Sequence, residues 1–238
     1  MEIDKNEGVH KRKRGLETSR LILDAAAELF ARNGYDGVSM RAIAQKVGIR
    51  ESSLYNHFQS KADLLETLFD EFVRFVPETR PSDGAIDRML EIMEPEEVFK
   101  AILFHVGEHV GGTLANTAMI INFEKYRNPR AVDMYYRYVV NEPSAYYERL
   151  IQKMMDRKMI KPVDARAFAE QYNYVSMGLI KEYIMAQNGL ADARAVVGTM
   201  IKTLRFFCGL MSWDPGDGHE SGAERRTRQN VEGEVSSV

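Results

Sequence analysis

Apolar residues recur at three- and four-residue spacing along most of the chain, and no run sustains the strict alternation of a half-buried strand. The pattern predicts an all-α protein. Between Thr18 and Asn33, Leu21, Ile22, Ala25, Ala26, Leu29 and Phe30 share one side of a helix that Gly34 closes. A shorter stripe follows in Met40, Ile43, Ala44 and Val47, with Ser39 ahead of it to accept from an unpaired first-turn N–H. Gly48 stands where the chain must take positive φ, which a residue without Cβ adopts cheaply, and Ile49 plugs the angle to the next helix. There Leu54 and Phe58, four apart, make a narrow apolar face. Arg50, Glu51, Ser52, Ser53, Tyr55, Asn56 and His57 therefore point elsewhere. Ser60 and Asp63 form a capping pair for a further helix carrying Leu64, Leu65, Leu68, Phe69, Phe72 and Val73.

Two short helices joined by a tight turn, with a polar, aromatic and basic outer face, are what a DNA major groove admits. An ordinary helical hairpin with a solvated face shares the periodicity, so the flanks decide. The order LILDAAAELFARNGYDGVSMRAIAQKVGIRESSLYNHFQSKADLL closely resembles, over Thr18 to Phe72 and without gaps, the N-terminal domain of the tetracycline-repressor (TetR) family of regulators. The resemblance implies that Tyr55, His57 and Lys61 hold backbone phosphates, which sets register without reading sequence. It also implies that Ser39, Met40 and Arg41, and Arg50, Glu51, Ser52 and Ser53, face bases or nearby phosphates, with Asn56 on the same face. Arg41 or Arg50 can grip a guanine edge with two hydrogen bonds. Arg50 departs from the family, which often has a serine or threonine cap there. Either Ser52 caps a slightly shorter helix or Arg50 is recruited to DNA.

Charge sharpens this reading. Lys11 to Lys61 holds ten Lys and Arg against five acids, whereas the whole chain is −3, so the remainder is acidic. A basic module tethered to an acidic body suits a polyanionic partner. Lys11, Arg12, Lys13 and Arg14 are expected in a flexible basic arm over residues 1–17, reaching a minor groove or phosphates; a solubilising tail is the plainer alternative.

The expected organisation is a helix-turn-helix domain over 18–60, a linking helix over 61–76, a helical ligand-binding and dimerisation domain over 77–212, and a disordered tail over 213–238. Helices are read over Glu94–Val110 and from Thr113 to about Tyr126. Another runs from Asn128 and Pro129 to Lys158 with an interruption near Pro143, and two more cover 164–187 and 191–211. The last two carry wide apolar stripes that include Val175, Leu179, Val196, Met200, Leu204 and Phe207; the resemblance implies that they pair with a second copy as a four-helix bundle. Aromatic and methionine side chains of the middle helices can line an adaptable pocket but more often simply fill a core, and only the resemblance raises the pocket reading. Its candidate members are His105, His109, Met119, Asn122, Phe123, Tyr126, Tyr138 and Tyr172.

Composition removes other classes. No apolar run approaches the roughly 20 residues needed to span a bilayer, and the first twenty residues lack a signal-peptide core, so a cytoplasmic protein without membrane partners is expected. The single cysteine, Cys208, excludes an internal disulfide. His105, Glu108 and His109 spell H-x-x-E-H, the inverted zinc-peptidase motif, but five-residue matches arise by chance and nothing around them supports a protease. No cofactor, metal or enzymatic activity is expected. The reading is a homodimeric DNA-binding regulator, a repressor of a palindromic operator in double-stranded DNA, released by a small apolar or aromatic ligand. The alternatives are a ligand-independent architectural or division-linked DNA binder and, behind it, a zinc enzyme.

Overall fold

A computed structural model describes the backbone of residues 5–187 and 189–212, and side chains from Arg14 onward within those limits. The 213–238 tail lies outside the described residues. Among the described residues the chain is helical and has no strand. In chain order the α-helices are α1 (Lys5–Asn33), α2 (Met40–Val47), α3 (Glu51–Tyr55), α4 (Lys61–Phe75), α5 (Asp83–Ile92) and α6 (Pro95–His109). They continue as α7 (Gly112–Glu124), α8 (Pro129–Met134), α9 (Glu142–Asp156), α10 (Ala165–Gln187) and α11 (Ala193–Met211).

These fall into two compact units. The first comprises the chain up to Thr79 together with Glu108–Tyr138. Its core is built from Phe30, Ile43, Leu54, Leu64, Leu68 and Phe69, all almost fully buried, whereas Leu21, read on the same stripe as Phe30, is 58% exposed. Spacing alone assigns residues 113–126 to the C-terminal body, but Ile120 and Ile121 of α7, with Ala131 and Met134 of α8, join the core of the first unit. Burying each isoleucine contributes on the order of 2 kcal/mol. Polar contacts fix the same packing: the Thr113 hydroxyl donates to Asp24, and the Arg127 guanidinium reaches Asp36 at 3.0 Å. Helix α1 also begins earlier than the basic arm allows, so residues 5–17 are helical where a flexible arm is expected. Their Lys, Arg and Glu are good helix formers and simply extend a helix already nucleated by the Thr18–Asn33 stripe.

The second unit contains Arg80–Gly107 and the chain from Val139 onward. Phe99, Tyr147, Tyr172 and Phe207 form a contiguous aromatic centre, with the Tyr147 and Tyr172 rings 4.7 Å apart and the Tyr172 and Phe207 rings 5.2 Å apart, both edge to face. The interruption expected near Pro143 takes the form of a π-helical stretch, Tyr135–Asn141, immediately before α9. Pro143 has no N–H to give the carbonyl of Val139, four residues back, and its ring crowds that carbonyl. Asn173 of α10 supplies the missing donor: its buried side-chain amide lies 3.3 Å from Val139 O and 3.0 Å from Val140 O.

Candidate nucleic-acid interface

The helix-turn-helix is set by short-range devices. Ser39 Oγ accepts from the Ala42 N–H at 3.1 Å and starts α2, and Gly48 ends it at φ +79°, with its own N–H returned to the last turn. Helix α3 is shorter than the apolar pair Leu54 and Phe58 suggests. It stops at Tyr55, and Asn56 and His57 form a turn that brings the Phe58 N–H to Leu54 O at 3.0 Å. Both apolar side chains are still buried, so the turn does the work expected of another helical residue pair.

Arg50 occupies the N-cap position of α3 and makes no side-chain capping bond; its guanidinium is exposed. The cap on Ser52 does not form. Exposed beside Arg50 are Ser39, Arg41, Glu51, Ser52, Tyr55 and Asn56, while Ser53 and His57 are half-buried. Met40 is not among them. It is 8% exposed and belongs to the core, because the first apolar position of α2 turns inward under the helix. Its part in the head is packing. Of the basic run, the side chains of Lys11, Arg12 and Lys13 lie outside the described residues, and Arg14 is exposed on α1.

Two supports were not legible in the motif. The Ser19 hydroxyl donates to Gly15 O at 3.0 Å, so its oxygen is free to accept from His57 Nδ1, 2.8 Å away. That contact orients the imidazole and leaves Nε2 as its remaining polar atom. Lys61 Nζ donates to Tyr35 O at 2.9 Å and stands 4.3 Å over the Tyr35 ring. Burial, then the carboxylates of Asp36 and Glu124, raise the Tyr35 phenol above its ordinary 10.0, so the ring under the ammonium stays neutral. Both partners come from α1 or the turn after it, a separation of 26 to 38 residues that helical periodicity does not register.

The candidate ligand residues do not converge in either unit. Phe123 and Tyr126 are exposed, Tyr126 at 83%, and Asn122 Oδ1 accepts from Lys125 Nζ at 2.7 Å. Met119 and Tyr138 pack with the core of the first unit, and Tyr172 with that of the second. A cavity of about 670 Å³ opens in the first unit, lined among others by Leu68, Phe72, Leu114, Arg20, Glu71 and Thr117; of the candidates only His109 lines it. In the second unit a void of about 30 Å³, the size of one water, touches Tyr147, Tyr172, Ser176 and Thr203. On α6, one donor atom from each of His105, Glu108 and His109 lies within 4.8 Å of the others.

Residues 22–68 match the family model described as bacterial regulatory proteins, tetR family. Over 76 residues the chain is 30% identical to the biofilm operon icaADBC negative transcriptional regulator IcaR of Staphylococcus epidermidis, covering 30% of this chain and 41% of that protein. Over 80 residues it is 32% identical to the A-factor receptor protein of Streptomyces griseus, covering 32% of this chain and 29% of that one. These matches thus span less than half the length of either relative. In fold the likeness is longer: a TetR transcription regulator from Haloarcula marismortui aligns with a TM-score of 0.55 at 16% identity, over 82% of this chain and 98% of its own. The N-terminal helical segment is thus similar in sequence to tetR-family regulators, and the helical fold is shared with a solved regulator along most of the chain.

Proposed function

We propose that the chain is a homodimeric transcriptional regulator, a repressor that a small ligand releases from a palindromic operator. The observation that carries this is the exposed face of α2 and α3, where Arg41, Arg50, Ser52 and Tyr55 stand clear of a core that fixes both helices. Tyr55, His57 and Lys61 then hold phosphates, and Arg41 and Arg50 read bases. Dimerisation through α10 and α11 is supported by their exposed apolar side chains. Val196, Met200, Leu204 and Phe207 are spent on the core of the second unit, whereas Tyr174, Val175, Met185, Phe206 and Leu210 are more than 40% exposed and await a partner. Two heads bind two half-sites about one helical turn or more apart. The ligand acts by linkage, loosening DNA only as far as it prefers the free dimer to the bound one. The 670 Å³ cavity is large enough for such an effector; the 30 Å³ void is not. A regulator of this kind works in the cytoplasm, and no described helix is long and apolar enough to cross a membrane.

Genomic footprinting of the full chain at defined salt, with competitor DNA, tests the reading. A few sharp palindromes are expected; broad, salt-sensitive occupancy would replace the local repressor with an architectural binder. On the site so found, Tyr55→Ala weakens binding to operator and random DNA alike, while Arg41→Ala or Arg50→Ala costs about 1–3 kcal/mol on the operator and relaxes the choice of base. Equal losses on both DNAs for all three variants would refute this division of roles.

A further inference from the structure

We propose that the last turn of α6 is a binding site for a divalent transition-metal ion, held by His105, Glu108 and His109. The three residues occupy positions i, i+3 and i+4 of one continuous helix, so their side chains emerge on one face whatever packs around it. One donor atom from each already lies within 4.8 Å of the other two. Ligands of a tetrahedral ion with bonds near 2.0–2.1 Å sit roughly 3.3 Å apart, so small side-chain rotations close the site. Glu108 and His109 are exposed and His105 half-buried, which leaves room for those rotations.

The donor set selects the ion. Two imidazole nitrogens and one carboxylate oxygen suit Zn²⁺, Ni²⁺, Co²⁺ or Cu²⁺, whereas Ca²⁺ and Mg²⁺ require an all-oxygen shell. No thiolate competes, since Cys208 is buried with its thiol pushed up to about 12. The position also favours a cation: α6 ends at His109, at the negative end of the helix dipole. Three protein ligands leave at least one coordination position for water or another small donor. With Glu108 as a ligand, the turn is a binding site without the free carboxylate base that hydrolysis at an inverted peptidase motif would use. The site stands independently of the DNA-binding reading, and DNA affinity of the same preparation is a separate measurement.

The test is titration of the full chain with Zn²⁺ in a chelator buffer, with Co²⁺ as a spectroscopic probe. One equivalent per chain is expected, with visible Co²⁺ ligand-field bands. Loss of groups that only orient a ligand lowers metal affinity 10–100-fold, so His105→Asn and His109→Asn, which keep polarity on the helix, should each lower it by about 100-fold or more. Glu108→Gln should lower it by about tenfold, since the amide oxygen is a poorer donor than the carboxylate. Circular dichroism of each variant confirms that the helices persist. Replacing His10 and His219 together should change nothing. Binding that survives in the folded His105→Asn/His109→Asn double variant, that disappears with His10 and His219, or that is absent below millimolar Zn²⁺ overturns the site.

Discussion

The helix-turn-helix and the second unit use polar chemistry in opposite ways, although the first unit buries Thr79, Thr117 and Glu124 away from that surface. In the first, caps and turns point polar groups outward: Ser39 and Ser60 each accept one first-turn N–H, and the residues between them present Arg41, Arg50 and Tyr55 to solvent. In the second, polar groups are folded inward. Asn173 is 3% exposed, burial raises the Tyr147 hydroxyl and carries that of Tyr172 well above the usual phenol range, and the Tyr146 hydroxyl has no hydrogen-bond partner. A surface that reads DNA needs only a rigid frame, and local backbone devices supply one. A core that holds buried hydroxyls and an amide depends on contacts between distant helices, and there a single lost partner is costly.

The largest test of that contrast is Asn173→Ala. Its amide serves Val139 O and Val140 O and also lies 3.1 Å from Ser144 Oγ, so removal strands the Val139 carbonyl, which Pro143 has already deprived of one donor, while Val140 O keeps the Ser144 hydroxyl. A loss of about 1–3 kcal/mol is expected from urea unfolding, with an unchanged m-value. An unaltered midpoint would mean that the π-helical stretch needs no support from α10, and the contrast between the units would collapse.

The corresponding test in the first unit is Gly48→Ala. A Cβ at this position meets nothing within 4 Å, so the cost is conformational alone, on the order of 1 kcal/mol for an L-residue at φ +79°. Gly48→Asn, which tolerates that region better, should recover part of the loss. A large Gly48→Ala effect that asparagine does not relieve would show that the turn is held by packing and not by its backbone geometry.

That local character is why the head was so readable. Ser39, Gly48, Ser60 and the Leu54–Phe58 pair each act within a few residues, and a sequence displays such spacing directly. Met40 misled because one position served both an apolar stripe and a family motif; burial decides for the stripe. Helix α5 went unseen although Ser82, which accepts from the Ala85 N–H, and the pair Ile86 and Leu90 carry a short helical signal between Pro81 and Pro95. The assignment of α7 and α8 to the first unit, and the Asn173 contact across some 33 residues, rest on tertiary packing that periodicity does not encode. The candidate ligand residues failed to converge for the same reason: aromatic and methionine side chains announce an apolar surroundings, not which of them share a cavity.

The smallest expected effect concerns acid. Lys153 Nζ donates to Asp87 at 2.7 Å and Arg157 at 2.9 Å, and these hydrogen bonds hold the Asp87 carboxyl below its ordinary 3.8. Glu96, bonded by Lys100 and Arg205, is likewise held below its ordinary 4.5. A carboxyl whose folded pKa lies below its unfolded value stabilises the fold above the unfolded value and loses that contribution as pH falls through the folded one. The second unit should therefore weaken below about pH 4, and Asp87→Asn should lower stability at pH 7 and by less at pH 2, as the native carboxyl takes up its proton. Because the Asp87 side chain is 40% exposed, the contribution is screened by solvent, and 1 M salt should erase most of it. Urea midpoints of the native chain and the variant at the two pH values separate the cases: an equal difference at both would assign the effect of Asp87 to packing and leave the ionic contacts of α9 without weight.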